Sequence, residues 1–351
     1  MERAELNVKA VIVYGTNDLR VEEIADPVCG SGEVLVELEW GGICGSDVSY
    51  WMSGASGTAI LKEPLVLGHE VAGRVARIGP DAVMDRRITV GTPVTIHPAT
   101  LVGEYDVAPD LAQRTNLWPE VRYFGSAAFE PHEQGAFSRF RTVHPDQLRV
   151  VPEGVTTKEA ALAEPFGVAL HALSRAGEVS GRTVLVNGCG PIGALAVAAS
   201  RAAGAAQVIA VDLSDAALDI ARQMGAGITV NPGAGEHPPE DVDVAIEASG
   251  ASRALRSVIA SVRRGGIIVQ VGNLPAGEAP VALGNIVTRE IDYRGSYRFV
   301  DEIAQALELM AGGVQVGPLM THEVSIDEAV RGFELAADRS TGSSKVMIHL
   351  G

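Results

Sequence analysis

The sequence predicts a two-domain α/β chain in which a β-rich, barrel-like unit precedes a doubly wound parallel sheet. Three observations carry that expectation. The chain has 351 residues, too many for one ordinary core. Its first part offers short, partly alternating apolar segments bounded by glycine, as half-buried strands do. From residue 158 the pattern changes to continuous apolar runs alternating with helical ones, the mark of a parallel sheet covered on both faces.

The elements follow in order. VLVELEW (34–40), VAGRVARIG (71–79) and PVTIHP (93–98) predict strands, whereas 99–123 lacks periodicity and is expected to be an irregular lobe. KEAALAEPFGVALHALSRAG (158–177) predicts one helix, with Glu164 biased out of it by the proline that follows. Strand and helix then alternate: TVLVNG with PIGALAVAASRAAG, QVIAVDL with DAALDIARQMGA, DVAIEAS with SRALRSVIASVRRGG (252–266), and finally IIVQVG. A helix over 300–313 and a strand over 345–350 complete the tail, which is expected to rejoin the first domain. The expected domains are therefore 1–157, 158–296 and a returning segment, 297–351.

Composition excludes several classes of function. Net charge is −16, which argues against nucleic acid and anionic membrane surfaces, since both demand a basic face. The longest apolar stretches, such as 184–199, are broken by glycine and proline and are too short to span a bilayer. The first ten residues, MERAELNVKA, show no secretory pattern. Three cysteines (Cys29, Cys44, Cys189) fit a reducing compartment better than a disulfide framework. A cytoplasmic protein acting on a small molecule is the expectation.

GCGPIG (188–193) follows a strand and opens a helix, the context a dinucleotide-binding glycine motif requires. Gly188 would permit the turn, Gly190 the approach of a pyrophosphate, and Gly193 close helix–strand packing, with Pro191 and Ile192 starting the helix. The helix N-terminus would offer N–H groups to the phosphates. Asp212 ends the next strand, 19 residues after Gly193, where a carboxylate accepts from the adenosine ribose hydroxyls and repels a 2′-phosphate. No basic residue immediately follows it, so NAD is expected in preference to NADP. A plainer reading makes Asp212 or Ser214 a helix cap. Val271 and Gly272, at the end of a later strand, are further expected cofactor contacts.

Cys44 in GGICGSDVSYW, His69 and Glu70 in LGHEVAGRVARIG, and Glu164 in AEPF are each unremarkable alone, but together they are suitable zinc ligands. GHEVAGRVARIG resembles the signature of the zinc-containing medium-chain dehydrogenase/reductase family, and CGSD, AEPF and GCGPIG match that family in order and spacing. Within it the chain is most similar to the sorbitol and L-idonate 5-dehydrogenase branch, and RYFGSAAFEPHEQGAF (122–137), VQVGN and RGSYRF are particularly similar to the idonate type. The resemblance covers nearly the whole chain. It implies a GroES-like catalytic domain plus a Rossmann domain, in a homo-oligomer (dimer or tetramer). It implies Cys44, His69 and Glu70 as ligands of a catalytic zinc, with Glu164 contacting the metal directly or through water. It further implies Ser46 as the hydroxyl that takes the substrate proton, and Tyr50 and Arg298 near the substrate. The reaction implied is NAD-dependent oxidation of a secondary alcohol of a polyol or sugar acid, L-idonate above all. Sorbitol, xylitol, galactitol or a cyclitol is the alternative. A catalytically silent NAD-binding protein is the competing class, disfavoured by the intact ligand set.

Two departures from the family pattern stand out. The lobe that commonly holds a structural zinc through C-x2-C-x2-C-x7-C has Val102, Tyr105 and Ala108 at its first three positions and Thr115 or Asn116 near the fourth. One zinc per chain is therefore expected, with Leu101, Leu111, Leu117 and Trp118 anchoring the lobe by burial. In addition, a histidine that often ends the proton relay is replaced by Ser49.

Overall fold

The computed structural model describes residues 7–101, 106–274, 281 and 283–351. Contacts divide the chain into two compact units, Met1–Glu164 with Met320–Gly351, and Pro165–Leu319.

The first unit begins with a hairpin, β1 (Asn7–Gly15) and β2 (Asp18–Ala25), to which Leu65–Val66 adds a short third strand. Then come β3 (Val34–Gly42), α1 (Gly45–Ser53), β4 (Glu70–Ile78), β5 (Pro93–Ile96), β6 (Phe140–Val143) and β7 (Leu148–Val150). The alternation in 34–40 is real: Val34, Val36 and Leu38 are fully buried and the residues between them are not. Phe137 packs over the turn that carries the site. A Cβ on Gly41 or Gly68 would come within 2.7 or 2.2 Å of its ring, so both positions need glycine.

The segment 99–123 is less irregular than its sequence suggests. Ala99–Leu101 and Val121–Tyr123 pair as an antiparallel ribbon, with 3-10 turns at Pro109–Leu111 and Thr115–Leu117 between them. Val102 and Tyr105 lie outside the described residues. The expected apolar anchors need correction. Leu101 and Leu117 are exposed, and the ribbon is held instead by buried Val121, Tyr123 and Asn116 and by Trp118 Nε1 donating to the Leu111 carbonyl at 3.1 Å. Ribbon pairing satisfies the backbone without burying those leucines.

The predicted helix over 158–177 is two helices, α2 (Thr157–Ala160), closed by a Thr156–Glu159 capping box, and α3 (Ala163–Ala176). Glu164 is inside α3, contrary to the expectation from its proline. Pro165 stands in the first helical turn, where its missing N–H has no intrahelical partner to lose.

The second unit contains β8 (Thr183–Asn187), α4 (Pro191–Ala202), β9 (Gln207–Val211), α5 (Asp215–Gln223), β10 (Ile228–Val230), β11 (Val242–Glu247), α6 (Leu255–Ser261), β12 (Val262–Gln270), α7 (Leu283–Arg289), β13 (Asp292–Gly295) and α8 (Ile303–Ala311). The sheet is parallel throughout, in the order β10-β9-β8-β11-β12-β13. The strand order reverses between β8 and β11, and ligands of such sheets bind outside the carboxyl ends of the strands at that point. The expected helix over 252–266 ends at Ser261, and Val262 opens β12 by pairing with Val242. Helix α8 belongs to this unit, so the return to the first unit begins at Met320 and not at 297. The reason is local: Gly167 of α3 lets Phe299 and Ile303 pack against it, and His171 Nδ1 lies 2.6 Å from Glu302.

The tail supplies β14 (Met320–Ser325), α9 (Ala329–Ala337) and β15 (Lys345–His349). The main sheet of the first unit runs β7-β5-β4-β3-β15-β14, with β6 also on β3. Among the described residues no helix is long and apolar enough to cross a membrane.

Candidate active site

Cys44 occupies the N-cap position of α1, immediately after β3. Its N–H donates to Asp47 Oδ2 at 3.0 Å, which closes the first helical turn. The other Asp47 oxygen accepts from Gly68 N at 3.3 Å and lies 3.7 Å from His69 Nδ1. Gly68 has φ +96°, so the chain turns sharply before β4. That turn brings two adjacent residues to one place: the donor atoms of Cys44, His69 and Glu70 all lie within 4.8 Å of one another. His69 and Glu70 are buried and Cys44 is half-buried. Among the described residues no other group of three metal-binding side chains is this close. Glu164 falls outside that set; it is buried, and one of its oxygens accepts from the Tyr123 hydroxyl.

Sequence reasoning missed the cation beside these anions. Lys345, the first residue of β15, is fully buried, with Nζ 2.8 and 2.7 Å from the two Glu70 oxygens and 3.1 Å from the Ile43 carbonyl. Burial works against its charge, but Glu70 and then Cys44 outweigh it and hold the ammonium above its ordinary range. Burial likewise opposes a charged His69, and Asp47 and Cys44 outweigh it. Burial pushes the Asp47 carboxyl up. Burial, opposed by His69 and reinforced by Glu70, pushes the Glu164 carboxyl up to about 7. An enclosed anionic pocket of this kind favours positive charge.

Ser46 lies half-buried in the first turn of α1. The Ser49 hydroxyl donates back to the Gly45 carbonyl at 2.8 Å, so it is already committed to its own helix. Tyr50 is buried, and its hydroxyl accepts from Ala127 N at 3.0 Å, fixing the neighbouring loop.

In the second unit Gly188 has φ +86°, and a Cβ there would meet Ser249 Cα at 2.5 Å; on Gly193 it would meet the Gly188 carbonyl at 1.7 Å. Packing explains both. A Cβ on Gly190, the N-cap of α4, would meet nothing within 4 Å. Open space over a helix N-terminus is the cradle a phosphate needs. Pro191 takes the first helical position and Ile192 follows it. Asp212 joins this loop to the next: Oδ2 accepts from Cys189 N at 2.7 Å and Oδ1 from Ser214 N at 2.9 Å. Ser214 is the cap of α5, accepting from Ala217 N at 3.3 Å, so the cap role falls to Ser214 and not to Asp212.

The residues 30–153 match the alcohol dehydrogenase GroES-like domain, and 191–312 match the zinc-binding dehydrogenase domain. The sorbitol dehydrogenase of Bacillus subtilis (strain 168) is 33% identical over 98% of this chain and 97% of its own length. The L-idonate 5-dehydrogenase (NAD(P)(+)) of Escherichia coli (strain K12) is 32% identical over 98% and 99%. The chain belongs to the zinc-containing medium-chain dehydrogenase/reductase family. Its branch is that of the sorbitol and L-idonate dehydrogenases, and it is an alcohol dehydrogenase of the zinc-dependent class. Among solved structures, E. coli L-idonate 5-dehydrogenase superposes with a TM-score of 0.89 at 32% identity, covering 98% of each chain. A zinc-binding dehydrogenase from Sinorhizobium meliloti 1021, bound to NADP, gives 0.87 at 29% identity, covering 98% of this chain and 99% of its own.

The donor set suits the metal of this family, since zinc takes thiolate, imidazole and carboxylate. The cradle at Gly190 likewise suits the dinucleotide. Two further features of the dehydrogenase's second unit stand out. Arg298 has φ +50°, a strained conformation for a non-glycine residue, and its guanidinium stacks on Tyr297 at 5.1 Å. Glu247, fully buried at the end of β11, was not singled out in the sequence. Its carboxylate accepts from Asn187 Nδ2 at 2.6 Å, Ser249 N at 2.7 Å and Gly250 N at 3.2 Å. Its carbonyl accepts from the N–H groups of Val271 and Gly272, each at 2.9 Å. It thereby ties together the strand ends at which the glycine loop sits.

Proposed function

We propose that this chain oxidises a secondary alcohol of a polyol or sugar acid to the ketone, with zinc and NAD, and that L-idonate is its preferred kind of substrate. The observation that carries the reading is the Cys44–His69–Glu70 cluster in a chain similar end to end to sorbitol and L-idonate dehydrogenases. A zinc ion there supplies the positive charge that makes an alcohol hydroxyl acidic, and a nicotinamide ring accepts the hydride.

The chain's own residues do the rest. Cys44, His69 and Glu70 hold the ion, Asp47 fixes Cys44 and His69 relative to each other, and Glu164 is the second carboxylate within reach of the metal or of a water. Ser46 takes the alcohol proton. Because Ser49 is turned to the Gly45 carbonyl, the proton leaves Ser46 to water or another group and not through Ser49. Gly188, Gly190 and Gly193 shape the loop that, with Pro191 and Ile192 at the helix N-terminus, would hold the pyrophosphate; Val271 and Gly272 would be further cofactor contacts. Asp212 accepts from the adenosine ribose and disfavours a 2′-phosphate. Arg298 pairs with a substrate carboxylate, and Tyr50 lies near the substrate, its hydroxyl held by Ala127 N. The working form is a homo-oligomer.

Sorbitol is the second reading, because the B. subtilis relative is as similar as the idonate enzyme. The test is NADH formation by zinc-loaded protein on L-idonate, sorbitol, xylitol and galactitol, with Cys44→Ser as control. Expected is highest kcat/KM on L-idonate and loss of metal and turnover in the control. No turnover of any secondary alcohol, or full activity of Cys44→Ser after chelation, overturns the proposal.

A further inference from the structure

A fully buried lysine is rare, because an ammonium out of water needs close partners. Lys345 has three acceptors for its three N–H groups: both Glu70 oxygens and the Ile43 carbonyl. Glu70 is as buried as the lysine, their side chains being 1% and 2% exposed. The pair is built by three strands. Glu70 begins β4, Lys345 begins β15, and β3, which lies between them, ends at Gly42. A Cβ on Gly42 would come within 2.4 Å of Glu70 Oε2 and 3.3 Å of Lys345 Cδ, so glycine there is what leaves room for the contact.

We propose that Lys345 is a positioning residue of the metal site: its ammonium holds the Glu70 carboxylate by both oxygens and shares its charge, so that Glu70 binds the metal weakly and exchangeably. The inference rests on the reading of Cys44, His69 and Glu70 as ligands. Charge supports it. Cys44, Asp47, Glu70 and Glu164 gather four acidic groups in this one region, and Lys345 sets a cation directly against Glu70. Without Lys345 the same set is one charge more negative, the dication is held harder, and Glu70 turns its whole charge toward it. Three protein ligands leave one position open for the alcohol, and a catalytic zinc passes at times through five-coordination, so a loosely held carboxylate eases exchange of alcohol and ketone there. Outer partners of metal ligands set ligand strength in this way.

The experiment uses full-length protein loaded with zinc or, separately, with cobalt(II), comparing Lys345→Met and Lys345→Arg with the parent. Zinc release is followed with a chromogenic chelator. Coordination is read from the visible absorption of the cobalt form, which weakens as a ligand is added. Lys345→Met is expected to slow zinc release about tenfold or more and to lower the cobalt absorption, because a repelling unit charge is gone from beside the metal. Lys345→Arg keeps the charge and grips a carboxylate by two N–H groups, so release stays within about threefold of the parent. If Lys345→Met does not fold, Lys345→Gln gives Glu70 a neutral donor, and the same slowing is expected. Unchanged release and an unchanged spectrum in the neutral variant overturn the proposal and leave Lys345 a structural ion pair. Parent protein that binds neither metal, or binds both undiminished in Cys44→Ser, defeats the underlying ligand assignment instead.

Discussion

Replacing Asp212 by asparagine removes one charge at the junction of two loops and, at nearly the same shape, exchanges one accepting oxygen for an NH2 group. In the parent, both carboxylate oxygens are held by main-chain N–H groups, from Cys189 at 2.7 Å and Ser214 at 2.9 Å, so the group is fixed next to the glycine loop. The residues after it add no positive charge: Leu213 and Ser214 are neutral, Asp215 is acidic, and the first arginine is Arg222 at the far end of α5. For NADP, a unit charge roughly 4 Å from a phosphate costs about 1 kcal/mol in water and about 4 at an effective dielectric of 20. Asp212 is only half-buried, which places the cost near 2 kcal/mol. For NAD, losing a charged acceptor for a ribose hydroxyl costs about 1.5–3 kcal/mol. Together these shift the NAD/NADP preference by about 4 kcal/mol, or close to three orders of magnitude at roughly 1.4 kcal/mol per tenfold. The assay is kcat/KM with each cofactor at fixed substrate, for parent and Asp212→Asn. The parent should strongly prefer NAD, and the variant should lose most of that preference. A parent that uses NADP equally well would refute the argument, as would a ratio that moves less than about threefold. The outcome is not set by family membership, since one relative is an NAD(P)(+) enzyme and a structural neighbour holds NADP.

Elemental analysis of dialysed protein should give close to one zinc per chain, because the described residues contain one compact donor group; a reproducible value near two counts against this. Arg298→Ala should lower kcat/KM for acidic substrates roughly thirty- to a thousandfold more than for neutral polyols, and equal losses would move Arg298 to a cofactor or structural role. The Glu302 carboxyl is pushed up by burial, but the His171 contact and the Val300 N–H outweigh this and hold it below its ordinary range. A depressed carboxyl contributes stability that is fully present above its unfolded value, about 4.3, and is lost as pH falls through the lower folded value. Urea unfolding should therefore show Glu302→Gln about 1 kcal/mol less stable than the parent at neutral pH, with the gap closing in acid. A gap that is constant with pH would contradict this.

What the sequence determined by itself is what depends on neighbours along the chain. Period-two alternation in 34–40 and the apolar runs of β8, β9 and β11 reflect which faces of each strand are buried, and a strand's faces are set locally. The glycine loop is local too: the positive φ of Gly188 and the closeness of Gly193 to the Gly188 carbonyl arise within six residues. Capping chemistry is equally short-ranged, but it was misread at Glu164, where first-turn tolerance of Pro165 outweighed proline's bias on the residue before it. Only the tertiary structure decided which side chains converge. His69 and Glu70 share one cluster because Gly68 turns the chain under Phe137, 69 residues further on. Lys345 reaches Glu70 across 275 residues because β15 pairs with one edge of β3 while β4 pairs with the other. Nothing near position 345 in the sequence marks that lysine as buried. Its place follows from strand pairing, and strand pairing is a property of the closed sheet, in which backbone hydrogen bonds join segments whatever their separation along the chain.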